Sequence, residues 1–223
     1  MVEILYKSKN AVVINKPQGM PAAPDPSGER NALNATSEML RLMGEDGELW
    51  LVHRLDRVTG GVMIFARNKH VGAVLSEKIK GHQLVKEYIA VVEGRAESCE
   101  MEDYLYKDSI ASRARITDCS KKGAVPALLT SRVVETVKTE KGEFSLVYIT
   151  LKTGRFHQIR AQFSHRGLPI VGDVKYGSKN KGVRLPALCS AHLSLVVENE
   201  KIDCKAMPDV NTFPWSLFDL SKL

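Results

Sequence analysis

The sequence predicts an α+β fold: a mixed, largely antiparallel β-sheet with flanking helices and loops. Three observations carry that expectation. Strand-like segments outnumber helical ones and often follow one another directly, which favours antiparallel pairing. The regular strand–helix alternation of a doubly wound sheet is missing. No internal repeat, coiled coil or low-complexity linker competes with this reading. The length of 223 residues suits one large domain or two small ones, and 43% hydrophobic residues are enough for a sizeable core.

Residues 11–15, AVVIN, form a short strand that Lys16-Pro17-Gln18-Gly19 breaks with turn chemistry. Three prolines make 20–28 a loop. A helix is expected from Ala32 to Met43, with Leu33, Met39, Leu40 and Met43 on its apolar side and Gly44 as its stop. The next stretch, Leu51 to Asn68, reads LVHRLDRVTGGVMIFARN. Its apolar start gives way to His53, Arg54, Asp56 and Arg57, Gly60-Gly61 turns the chain, and 62–66 reads as a strand buried on both faces. Asn68 caps a helix whose apolar residues Val71, Val74, Leu75 and Ile79 lead to a stop at Gly81.

Leu84 to Glu93 reads as a strand, and the polar, mixed residues 95–125 as short strands joined by long loops. Residues 128–137 and 144–151 alternate apolar with polar, and the polar KTEKGE between them is a hairpin connection. Within 153–177, Ile159 and Phe163 stand four apart, and Gly167 and Pro169 close a short helix. Residues 188–199 are another strand and 207–215 a loop.

Composition excludes several classes. The apolar runs are far short of a membrane span, and the first ten residues have no long apolar segment of a leader peptide, so a cytoplasmic location is expected. Cys99, Cys119, Cys189 and Cys204 show no metal-ligand spacing and read as buried free thiols, while His53 and His157 lack a third ligand and read as structural hydrogen-bonding residues. No GxGxxG or GxxxxGK[ST] occurs, so no nucleotide cofactor is indicated. The net charge of +6 permits a polyanionic partner. Basic clusters recur at Lys78–Lys80, Lys121–Lys122 and Lys175–Arg184, each readable as a phosphate contact or as an ordinary solvated face.

Asp56 stands out chemically, as one carboxylate among two arginines and a histidine on a loop anchored to apolar flanks. It reads either as a reactive group displayed on a rigid scaffold or as half of a surface ion pair worth about 0–1 kcal/mol.

HRLDxxTGG resembles the HRLDxxTSG signature of the RluA-type pseudouridine synthases, with Gly60 where that family usually has Ser. KEYIAVVEG (86–94) is similar to the family's KxYxAxxxG strand. LKTGRFHQIRAQFSHRGLPIVGDVKYG follows the third signature, with Phe156 where Thr is commoner and Gln162 where His often stands. VVINKPQGMP is similar to the opening strand and KPxG turn. The resemblance runs from about Val12 to the last predicted strand and implies a single catalytic domain, 1–223, without the family's frequent S4 RNA-binding domain.

That resemblance implies isomerisation of uridine in tRNA, rRNA or both by a monomer needing no cofactor, metal, membrane or obligate protein partner. It makes Asp56 the catalytic carboxylate, attacking the sugar, attacking the base or assisting loss of the C2′ proton. Arg160 becomes the partner of that carboxylate, and Tyr88 a wall or base beside the uracil. The target nucleotide must leave its stack. Arg54 would fill the vacated space or hold phosphate, and Lys16 and Lys175, with Lys179, Lys181 and Arg184, would contact phosphate. An alternative is a catalytically inactive RNA-binding protein on the same fold. A third reading, a hydrolase using Asp56 with a histidine, lacks a nucleophile or metal.

Overall fold

A computed structural model describes residues 2–223. Its first elements are β1 (Glu3–Lys7), β2 (Ala11–Lys16), α1 (Ala32–Leu42), β3 (Trp50–Leu51), β4 (Gly60–Ala66), α2 (Lys69–Lys80) and β5 (Val85–Glu93). They continue as β6 (Cys99–Asp108), β7 (Arg113–Thr117), β8 (Val125–Thr139), β9 (Gly142–Leu151), α3 (Gln158–His165), β10 (Leu188–Val197) and β11 (Glu200–Lys205). Strands dominate and antiparallel pairing predominates, which is the expected α+β class. The chain groups into two compact units.

One unit holds the chain up to Lys86 together with Cys189–Pro208. Its strands run in the order β1-β2-β4-β10, with β3 on β4 and β11 on β10. β2 lies antiparallel to β4, Ala11 facing Ala66 and Lys16 facing Gly61. β10 joins β4 in parallel through Cys189 and Ser190. All seven residues of β4 are buried, as its unbroken apolar run implies. Val71 and Leu75 of α2 pack with Val13, Ile64, Leu193 and Ile202 in the core of this unit. Asn68 caps α2 as expected, its side chain accepting from the Val71 N–H at 2.9 Å.

Two expectations change here. Gly60 and Gly61 open β4 rather than turning the chain. A Cβ on Gly61 (φ +108°) would stand 2.2 Å from the Ser190 carbonyl oxygen, so glycine is required by the close approach of β10. Met43 is the C-cap of α1 and half exposed, because the helix ends one residue before it and its buried face is made by Ala32, Ala35, Thr36 and Leu40.

The second unit holds Glu87–Leu188 and Asp209–Leu223. Its strands run β5-β9-β8-β6-β7, all neighbours antiparallel. The expected β8–β9 hairpin is present, whereas β6 is a ten-residue strand where short pieces were expected. α3 buries Ile159 and Phe163, the pair four residues apart.

Candidate active site

Asp56 sits half-buried on the loop between β3 and β4. Leu55 and Thr59 are buried on either side of it and anchor the loop. The Thr59 N–H donates to the Asp56 carbonyl at 3.0 Å, closing a turn. A second loop, the KPQG turn after β2, is laced to the first. Gly19 N–H donates to the Arg57 carbonyl (2.8 Å), Arg57 Nε to the Gly19 carbonyl (3.1 Å) and Gln18 Nε2 to the Val58 carbonyl (2.8 Å). His53 accepts the Ile64 N–H on Nε2 at 3.1 Å. Loss of water around its ring, and then the charge of Lys86, push its pKa down to about 4, so the ring is neutral near pH 7.

Lys16 is a correction. A phosphate contact needs an exposed ammonium, yet this side chain has no exposed surface. Its Nζ donates to the carbonyls of Met20 (2.7 Å), Pro17 (3.1 Å) and Arg57 (3.4 Å). Burial pushes its pKa down to about 8, and the charge of Asp56 acts in the opposite direction. Lys16 is therefore a buried clamp between the two loops, with its positive charge near Asp56. Arg54, by contrast, is exposed.

The other expected residues lie in the second unit. Tyr88 is on β5, 7% exposed and opposite Ile149. Arg160 is on α3 and 4% exposed. Its Nε and one terminal nitrogen donate to the two oxygens of Asp173 at 2.6 and 2.9 Å. The guanidinium carbon lies 4.9 Å from the centre of the Tyr176 ring. Asp173 went unrecognised in the sequence, although it stands in the same signature as Arg160. Lys175 is exposed on a one-turn 3-10 helix, Val174–Tyr176, and Lys179, Lys181 and Arg184 are exposed beyond it.

The entry to α3 is tightly specified. Gln158 Oε1 accepts from Thr153 Oγ1 (2.8 Å) and from the Arg155 N–H (3.0 Å), and Nε2 donates to the Leu128 carbonyl (3.1 Å). His157 takes a left-handed conformation, φ +52°, which costs a non-glycine residue on the order of 1–2 kcal/mol. Its pKa is pushed down to about 3, first by burial and then by the charges of Arg160, Lys175 and Lys107. The Ala114 N–H donates to the Tyr176 hydroxyl (2.7 Å), which lies 2.9 Å from His157 Nδ1. With the ring neutral, one of the two groups donates to the other, and which one follows from the tautomer of His157. Among the described residues no cluster of His, Cys, Asp and Glu could hold a metal, and no helix is long and apolar enough to cross a membrane.

The profile of a family described as RNA pseudouridylate synthase matches residues 10–165. The chain belongs to that family. It is an RNA pseudouridine synthase by descent, of the RluA type that its signatures resembled, and such enzymes are isomerases acting on RNA. Among its relatives, tRNA pseudouridine synthase C of Haemophilus ducreyi is 33% identical over 191 residues, 82% of this chain and 77% of that protein. The uncharacterized RNA pseudouridine synthase YhcT of Bacillus subtilis is 30% identical over 191 residues, 84% of this chain but 61% of that protein. The solved structure of human RNA pseudouridylate synthase domain containing 1 matches with a TM-score of 0.78 at 22% identity, over 96% of this chain and 86% of that one. This last likeness bears on the fold.

Proposed function

We propose that the chain acts as one catalytic domain that converts specific uridines of structured RNA to pseudouridine, with Asp56 as the essential carboxylate. The targets lie in tRNA, rRNA or both. The reaction breaks the C1′–N1 bond, turns the base and joins C5 to C1′; the C5 proton leaves and N1 gains one, so the sum is an isomerisation. The observation that carries the reading is the fixed loop beneath Asp56. Its backbone is tied to the KPQG turn and to β4, so little reorganisation is needed when the carboxylate acts.

Tyr88 supplies a ring for the uracil and a hydroxyl for the C5 proton. Arg160 is the guanidinium that serves the carboxylate, kept in one orientation by Asp173. Extruding the uridine costs a few kcal/mol, least at unpaired sites. Exposed Arg54 fills the gap or holds phosphate, and Lys175 positions the backbone. The protein works as a cytoplasmic monomer.

The test compares pseudouridine positions in tRNA and rRNA from cells with and without the gene. Loss of particular sites, restored by the wild-type chain and not by Asp56→Ala, is the expected result. Unchanged maps, or full restoration by Asp56→Ala, would favour an inactive RNA-binding protein on this fold.

A further inference from the structure

Phe156 is 39% exposed, and with Tyr104 it is one of two aromatic rings among the exposed large apolar side chains of the described residues. Its ring stacks on that of His157, with centroids 3.8 Å apart and planes 19° from parallel. His157 is itself held by the Tyr176 hydroxyl at 2.9 Å and by its left-handed backbone. An exposed ring with two soft torsions has thus been given a fixed orientation. The ammonium of exposed Lys107 lies 5.0 Å from the Phe156 centroid. Arg160, Lys175 and Lys107 all act on the His157 ring, and since Arg160 is paired with Asp173, the unbalanced positive charge beside this aromatic pair comes from the two exposed lysines. A flat apolar face in a positive field matches a nucleobase flanked by phosphates, whereas a purely apolar partner would gain nothing from the cations.

We propose that Phe156, backed by His157, is a stacking platform for an unpaired base of the RNA substrate, with Lys107 moving from the ring to an adjacent phosphate as the base arrives. Magnitudes favour the exchange. Base–aromatic stacking strengthens binding by about 5- to 150-fold per base, and a cation over an exposed ring by only about 2- to 5-fold. The displaced ammonium keeps a partner in the phosphate. The inference rests on the reading of the chain as an RNA-modifying enzyme, and it adds a contact to an unpaired base of the substrate.

The probe is an oligocytidylate of about 12 nucleotides, which holds no uridine to convert, so the readout is independent of Asp56. Dissociation constants are measured across a salt series for wild type, Phe156→Ala, Phe156→Leu, Phe156→Trp and Lys107→Ala, with folding checked by circular dichroism. Phe156→Ala and Phe156→Leu should both weaken binding by about 5- to 150-fold without changing the salt slope, while Phe156→Trp binds at least as tightly as wild type. Lys107→Ala should lower the slope by about 0.7. Wild-type affinity in Phe156→Leu would mean that the ring only shields His157 from water, and the proposal would fall. Equal losses in Phe156→Trp and Phe156→Ala would also overturn it. A failure of uridine conversion with these effects intact would count against the proposed function alone.

Discussion

Arg160 and Asp173 form a two-pronged ion pair in which the side chains are 5% and 1% exposed. A guanidinium this deeply buried must be matched in charge and in hydrogen bonds. Asp173→Ala leaves that charge with one partner fewer. It should cost about 3–5 kcal/mol of stability, read as a lower urea midpoint at unchanged slope. A loss typical of a surface pair, under about 1 kcal/mol, would contradict the arrangement.

Lys16 gives the protein an alkaline signature. Its pKa in the fold is about 8 against an ordinary 10.5. Between those values the unfolded chain binds the extra proton, so stability rises with pH in that window and is lost again as pH falls toward 8. The span corresponds to about 3 kcal/mol. Wild type should gain stability over Lys16→Met as pH climbs from 8 to about 10; parallel curves would show that the ammonium is not buried.

The two depressed histidines act in acid. His53 titrates near 4 and His157 near 3, each against an ordinary 6.5. From pH 6.5 downward the unfolded chain takes up protons that the fold refuses, so stability falls until each folded pKa is passed. His53→Gln should flatten the acid limb of a stability–pH curve. An unaltered limb would mean that His53 is not held neutral by the fold.

Gly61→Ala puts a methyl group into the Ser190 carbonyl at a backbone angle that disfavours side chains. The expected cost is about 2–4 kcal/mol, measured by thermal or urea unfolding. Gly60→Ala is the control, since its nearest neighbour would be 3.3 Å away and its φ is not positive. Equal stability of the two variants would contradict the close packing of β4 on β10.

Much of the fold was legible because its central strands are apolar without interruption. β4 and the Ile89–Val92 run of β5 are apolar and buried, and the helix caps at Asn68 and Gly81 follow from local chemistry. β1 and β11 were missed because EILYK and EKIDCK carry charges. They become strands by pairing with β2 and β10, a long-range event that no short window contains. Lys16 was misread for a related reason. It follows AVVIN, whose first four residues are buried, so the chain offered no solvent side for the ammonium. That pattern was a usable signal. Asp173 stands in the same signature as Arg160, but nothing local says that an acid thirteen residues on will clamp that guanidinium. The loop of Asp56 stood out because its dense charge is framed by apolar flanks. What fixes it, the lacing to the KPQG turn, spans about forty residues of sequence.

The central claim concerns Asp56, and the most direct measurement is release of label from RNA carrying tritium at uridine C5. Wild-type protein should release tritium to water, and a folded Asp56→Ala chain should release none while still binding the RNA. Release by Asp56→Ala at the wild-type rate, or none by either protein on unmodified tRNA and rRNA, would contradict the account.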